Sequence, residues 1–481
     1  MRKTGIILAL IIAVLSAITF SACNKDEKKT EYLISCELSG NEIKGRETLY
    51  YYNDLQTSLT FLKFNLYPNA YRESSKYSPV IPQYRYRSYY DGENYGNITI
   101  EKVFSGDNEL TFSVGGEDEN ILTVDLKDEL FPEESVTITI EFTTVLARVI
   151  SRTGINGKTV NIANFYPVLC ARDEQGFYEC VYYGVGDPFF SEVADYTVDF
   201  KCDKDYIVAS SGEEIKTEDG GEKTTHFYNV INARSFALVL SKDFKVKTED
   251  YSGITIRYYA LSEDTERYTE TVKNALYLFC DKFGEYPYKT LSVVETPFIQ
   301  GGMEYTALTF IGDELEEKAK KEVIVHEIAH QWWQVAVGNN EVENAFIDEG
   351  LAEYSVILFY ENYPEYGFTR DQLITTSKTS YHMFCDVYKK LFNGVNTAMQ
   401  RNLKDFSSEY EYVNIVYVKS CIMLDDIRTL TGDTNFFSGL KKFYRDYKFK
   451  IADKDALSVS LSQKINVQGV IDAYIMGKDI I

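Results

Sequence analysis

Two hydrophobic periods divide this chain, and that division limits the folds open to it more than any other feature of the sequence. Over residues 38–247 apolar side chains recur at every second position, the period of a half-buried strand. In SVTITIEF, Val136, Ile138, Ile140 and Phe142 fall on one face, with Thr137, Thr139 and Glu141 on the other; YTVDFKC repeats the pattern through Tyr196, Val198, Phe200 and Cys202. Turn residues such as Asp219-Gly220-Gly221 separate the runs, as hairpins require. From residue 248 to the end the spacing becomes helical, apart from the strand-like LSVVETPF at 291–298. The expectation is an antiparallel β domain at 38–247 followed by a mainly helical domain at 248–481. With 481 residues, 44% of them hydrophobic, the chain has enough apolar surface for two cores. No internal repeat or low-complexity tract is present.

The net charge of −23 would repel phosphate backbones, which argues against nucleic acid as a partner. At the N-terminus, Arg2 and Lys3 precede an apolar run closed by Ser21-Ala22-Cys23, the layout of an export signal. FSAC resembles the lipobox of bacterial lipoproteins, with Cys23 as the lipidated residue. Simple cleavage and an uncleaved anchor are the alternative readings. Residues 1–23 would be the signal, residues 24–37 a polar tether, and the body would stand outside the cytoplasm, lipid-anchored to a membrane. The other seven cysteines contain no CxxC pair, which disfavours a thiolate metal site. Cys170 and Cys180 either close a small loop or remain buried thiols.

In VIVHEIAHQWW, residues 323–333, two of the four histidines and a glutamate interrupt an apolar run. The run predicts a helix from near Asp313 to just before Gly338, a position suited to a terminal glycine cap. On such a helix His326 and His330, four apart, project from one face and can grip one metal ion. Glu327 beside them has the place of a base for the attacking water. Eighteen residues beyond His330 comes Glu349, on a second predicted helix from about Phe346 to Tyr363. Two imidazoles and one carboxylate suit a single zinc ion and leave a coordination position open. A satisfied core histidine remains the ordinary alternative for either His alone.

HEIAH followed at this interval by Glu349, and preceded by Gly301-Gly302-Met303-Glu304-Tyr305, resembles the aminopeptidase N-like zinc metallopeptidases, the gluzincin aminopeptidases that include leukotriene hydrolases. LKFNLYPNAY near Phe64, GDPFFSEVADYTV at 186–198, FGEYPYKTLSVVE at 283–295 and IVYVKSCIML at 415–424 extend the similarity over most of the chain. The resemblance implies a thermolysin-like catalytic domain with His326, His330 and Glu349 as zinc ligands and Glu327 as general base. It implies Tyr417 as the group that stabilises the oxyanion and Glu304 as the carboxylate that holds a substrate's free amino group. Gly301, Gly302 and Met303 complete the segment along which a peptide with a free amino terminus would lie. Spacing alone leaves Tyr417, one of 39 tyrosines, as an ordinary half-buried aromatic, Glu304 as a loop carboxylate, and Glu353 as either a ligand-orienting acceptor or a surface charge.

Tyr305 stands where the family usually has asparagine, and YVKS replaces the commoner YEKG. The sequence ends on VIDAYIMGKDII, which looks like the close of the catalytic domain, so the expectation is that the long C-terminal helical domain of many relatives is missing and the site more open. Two competing functions are an endopeptidase with the same metal and a surface peptide-binding lipoprotein without turnover.

Overall fold

The computed structural model describes residues 29–477; the expected signal, its Cys23 and the start of the expected tether, residues 24–28, lie outside them. Among the described residues, the N-terminal region is built on an eight-stranded sheet. Its centre is the strand Glu31–Ser39, paired on one side with Glu42–Tyr52 and on the other with Ala194–Asp203. Tyr32, Ile34, Cys36 and Leu38 turn inward while their neighbours turn outward, so the tether does not reach residue 37. The alternation starts at once after the polar residues, and a strand with one buried face gains more from pairing than from solvation. The pairing with Ala194–Asp203 is parallel, Tyr32 opposite Tyr196, against the expectation of a purely antiparallel domain. Turn signals fix only hairpin neighbours; these two strands are joined by a long connection, which allows parallel pairing.

The second domain contains a five-stranded sheet in the order Lys245–Tyr251, Ile254–Ala260, Thr290–Thr296, Leu308–Gly312 and Gly302–Tyr305. Its first hairpin straddles the expected boundary at 247, so the break falls before Lys245. Every residue of Thr290–Thr296 is buried, as befits a strand with parallel neighbours on both sides and elements covering both faces. Gly302–Tyr305 forms an edge of this sheet.

Helices Glu317–Ala329 and Asp348–Asn362 pack against each other. The first is shorter than predicted at both ends. Lys320 anchors its start, donating to Glu295 Oε1 at 2.9 Å and to the Asp313 carbonyl at 3.0 Å. After His330 the chain turns sharply: the Val335 N–H donates to the His330 carbonyl and Gln334 takes a φ of 107°. The turn buries both tryptophans of the protein, with Trp332 Nε1 donating to the Gly284 carbonyl and Trp333 Nε1 to Ser355 Oγ. Burying both indoles outweighs another helical turn, and Gly338 therefore caps nothing. Cys170 and Cys180 are buried free thiols.

Arg234, buried at the seam of the two domains, donates to the carbonyls of Gln334, Val335, Ser191 and Lys450 at 2.8–3.1 Å. Gly338 makes room for it, since a Cβ there would lie 2.2 Å from the guanidinium carbon. Burial without a carboxylate partner lowers its pKa to about 10. Arg234→Met is expected to leave those carbonyls unsatisfied and to cost about 3 kcal/mol, given about 1–3 kcal/mol per orphaned buried group. Urea unfolding followed by tryptophan fluorescence measures it; a loss below about 0.5 kcal/mol, the ordinary range for a surface change, would contradict the seam's dependence on this residue.

Candidate active site

The two packed helices bring the three expected ligands to one point. His326 Nε2 and His330 Nε2 each lie 3.2 Å from Glu349 Oε2, and 3.0 Å from each other. His330 Nδ1 lies 3.0 Å from the Trp333 carbonyl, which assigns it the proton and turns the Nε2 lone pair toward the centre. The sharp turn after His330 is what places that carbonyl. Glu353, left open by sequence, has Oε2 3.5 Å from His326 Nδ1 and so orients the other ring from behind. Three potential ligand atoms, two nitrogen and one oxygen, converge on one point. That donor set fits a zinc ion.

Electrostatics sharpen the picture. Burial disfavours charge on His326, yet contact with Glu349 and Glu353 holds its pKa up, at about 10. Burial pushes Glu349 the other way, and the two imidazoles overcome it and hold it near 2. Glu327, next to His326, is buried, and its Oε2 has no hydrogen-bond partner. Desolvation, opposed by His326 and reinforced by Glu304, raises it to about 8.

The edge strand Gly302–Tyr305 runs beside these groups. Gly302 and Glu304 line the cleft, whereas Met303 and Tyr305 belong to a separate buried apolar cluster with Phe310 and Phe298. The structure therefore does not bring the Met303 side chain to the cleft. Alternation along a strand dictates this once Glu304 faces inward. Gly301 sits at φ 99° and its carbonyl accepts from the Gly312 N–H, so it shapes the entry to the strand. Gly302 is required for space: a Cβ would lie 2.2 Å from Glu327 Oε1. Glu304 is buried and is pushed up to about 7, chiefly by desolvation, with His330 opposing and Asp187 adding to the rise.

Tyr417 lies on a π-helical turn, Val413–Val418, a distortion found often at functional sites. Its hydroxyl donates to Glu349 Oε1 in a short hydrogen bond, and its ring stacks on His326 at 5.7 Å. Tyr410 packs instead on Phe384, 5.8 Å away. The extra backbone residue of the π turn, invisible to helical periodicity, selects Tyr417.

Several participants escaped the sequence reading. Asp187 and Arg152 line the cleft from the first domain as a buried ion pair; Asp187 sits inside the GDPFFSEVADYTV segment, but nothing local distinguishes it. Tyr412 closes the wall beside Tyr417, and a Cβ on Gly186 would collide with its hydroxyl. Gln331 spans the gap behind the site: its amide donates to the Tyr305 carbonyl at 3.1 Å and accepts from the Ala307 N–H at 2.9 Å. It thereby ties the edge strand to the helix end that carries His330.

The family follows from residues 267–474, which match the peptidase family M1 domain over both helices, the edge strand and Tyr417. Those residues belong to peptidase family M1. Among curated relatives, human endoplasmic reticulum aminopeptidase 2 is 22% identical over 297 residues, 57% of this chain and 30% of its own length. Leucine aminopeptidase 2 of Emericella nidulans is 25% identical over 207 residues, 40% of this chain and 31% of its own. The chain thus spans about 30% of the length of the curated relatives it matches. The M1 zinc metallopeptidase of Deinococcus radiodurans has the same fold, with a TM-score of 0.66, 14% identity, and coverage of 94% of this chain and 95% of that one. A mutant of that protein bound to a Tyr-Ser-Ala substrate superposes at a TM-score of 0.67 with 14% identity, covering 94% and 95% of the two chains. The expected order of a β-rich first domain and a mainly helical second one is the M1 arrangement.

Because Gly302 abuts the Glu327 carboxylate, Gly302→Ala is expected to displace that carboxylate while leaving the three ligands in place. Overpacking of this kind costs about 1–3 kcal/mol. Thermal unfolding should show the loss while calorimetric zinc titration still gives one site; unchanged stability would mean the strand yields freely.

Proposed function

We propose that this chain is a zinc-dependent aminopeptidase that removes the N-terminal residue from peptides. The observation that carries the reading is the unpartnered, buried Oε2 of Glu327 in a cleft that also holds the three-donor set and Glu304. A zinc ion held by His326, His330 and Glu349 would polarise the scissile carbonyl and lower the pKa of its water from about 15.7 toward about 7.

The protein's own groups then have separable tasks. An extended peptide can pair with the open edge of Gly302–Tyr305, as strands add to sheet edges. Glu304, with Asp187 nearby, receives the ammonium of the first residue, and this fixes how far the chain enters. Glu327 accepts a proton on Oε2 from the attacking water and returns it to the departing amine nitrogen. Tyr417 turns its hydroxyl from Glu349 to the carbonyl oxygen as negative charge develops there, donating without adding net charge. The names of the curated relatives and the tripeptide on the Deinococcus radiodurans protein are consistent with peptide substrates.

In this reading the enzyme works on the outer face of a bacterial membrane, held by a lipid on Cys23. The N-terminal sequence supports that placement. Among the described residues no helix is long and apolar enough to cross a membrane.

Glu327→Gln is expected to bind zinc normally and lose most turnover of leucine p-nitroanilide, and a chelator should abolish wild-type turnover. Tyr417→Phe should lower kcat by about a hundred- to a thousandfold, the usual value of one oxyanion donor. Efficient cleavage of an N-acetylated peptide would replace the exopeptidase reading with an endopeptidase one, and zinc-loaded protein inert toward a broad panel of aminoacyl reporters would leave a binding protein.

Anchorage is tested apart from catalysis. Cys23→Ser should move the protein from the membrane fraction to the soluble one with its specific activity intact, and continued membrane retention would refute lipidation at that residue.

A further inference from the structure

The cleft has a direction. From Glu304 and His330 it passes the ligand cluster to His326 and Glu353, and its lining continues through Val323, Val356 and Thr376. If the ammonium sits at Glu304, the remainder of a peptide leaves along this line, toward the helix Arg370–Phe392. That helix buries Ile374, Tyr381, Phe384 and Cys385. Its cleft side carries Thr376, and the positions on the same face farther along are Ser380, Met383 and Val387, four, seven and eleven residues on.

Met383 and Val387 are apolar and exposed, at 60% and 41%, and Leu391 continues them at 70%. Beside this ridge, Tyr410 rests its ring on Phe384 and Tyr388 while staying 49% exposed. Val413, one turn on from Tyr410, lines the cleft itself and is 38% exposed. The strip meets the cleft wall at Val413, and the 3.2 Å hydrogen bond from Ser380 Oγ to Asn414 Oδ1 joins the helix that carries Met383 to the turn that carries Val413. On another wall, Gln83 Nε2 and Tyr84 Oη both donate to Glu409 Oε2, at 2.8 and 2.9 Å. This ties a loop of the first domain to a residue that lines the cleft and narrows the alternative way out.

Resting on the aminopeptidase reading, we propose that the strip formed by Val413, Tyr410, Met383 and Val387 is an exosite for apolar side chains of longer peptides, downstream of the bond that is cut. The occupant is the substrate itself, because the strip begins where the cleft ends and runs along the path an anchored chain must take. A nine-residue peptide, about 30 Å when extended, reaches well past the ligand cluster. Apolar residues in its second half would be withdrawn from water on the strip; serine and glycine there would gain nothing. The site therefore distinguishes long peptides by their tails and treats single-residue reporters alike.

The experiment uses full-length, zinc-loaded protein carrying Glu327→Gln, and two nine-residue peptides with a free amino terminus and a C-terminal fluorescein. Both begin Leu-Ser-Gly-Ser; one continues Leu-Ile-Phe-Val-Leu, the other with five serine and glycine residues. Fluorescence anisotropy should give about tenfold tighter binding for the apolar tail. Adding Met383→Glu and Val387→Glu should erase that difference, as should the milder Met383→Ser with Val387→Ser. In protein that retains Glu327, the same pairs of substitutions should leave leucine p-nitroanilide turnover within about twofold, since surface changes of this kind perturb the fold little. Equal affinity for the two tails overturns the exosite, as does an equal loss of both tails and of reporter turnover in both pairs of variants. A dimer that becomes a monomer in light scattering, or binding to phosphatidylglycerol vesicles that disappears, in either case without a change in tail preference, assigns the strip to a second copy or to lipid and overturns it too. Failure of the aminopeptidase reading shows separately, as zinc-loaded wild type that leaves the reporter uncut.

Discussion

The site depends on one buried carboxylate. Glu349 reaches from its helix to place Oε2 within 3.2 Å of both imidazoles, while Oε1 accepts from Tyr417. A single side chain thus joins the two ligand helices and the π-helical turn. Each partner answers to a different part of the fold. His330 is set by the turn that buries the tryptophans, His326 by Glu353, and Tyr417 by the extra residue of its turn. A shift in any of these elements reaches the others through Glu349, so the geometry is shared by the whole second domain.

The cleft's second wall comes from elsewhere. Gln331 fixes the edge strand against the end of the His330 helix, which sets the spacing between Glu304 and the ligands. The first domain adds Asp187 and Arg152, and Arg152 Nε lies 3.1 Å from Met303 Sδ. Met303 therefore holds the back of the strand against the first domain while Glu304 works at the front. Arg234 plays a similar part lower in the seam, where it grips carbonyls from both domains. Substrate binding and domain association accordingly share residues, and the cleft exists only because the two domains are held in one relative position.

How much of this could be read in advance follows from the reach of each signal. His326, Glu327 and His330 were legible because helical periodicity relates residues four apart. Glu349 was legible because a second predicted helix offered it at a plausible interval. The position of Met303 could have been derived from strand alternation, yet the five-residue segment was read as a unit. Sequence placed the end of the His330 helix too late because it weighed the glycine signal at Gly338 above the burial of two adjacent indoles. Tyr417 could not be distinguished from Tyr410 or Tyr412 on physical grounds, since a π turn leaves no periodic trace. Arg152, Asp187 and Gln331 act through contacts with distant segments, and local pattern carries no information about such contacts. The parallel pairing of the first strand was hidden for the same reason.

On the aminopeptidase reading, charge explains why a free amino terminus would occupy the cleft. Glu304, Glu327, Asp348 and Glu341 are all buried, and Arg152, the arginine that lines the same cleft, is already paired with Asp187. Desolvation raises all four carboxyls, and mutual repulsion adds to it. A carboxylate in this setting is stabilised either by a proton or by a cation brought close. A metal ion on the three ligands would satisfy part of that demand and leave the part around Glu304. An ammonium at Glu304 satisfies the remainder, and by favouring the charged form of that carboxylate it strengthens its own hold. A neutral chain end offers no such compensation and would have to displace water from a carboxyl that then keeps a proton. On that reading, selection for the chain terminus would be a consequence of how the acids are buried, and reach along the edge strand would only set where the cut falls.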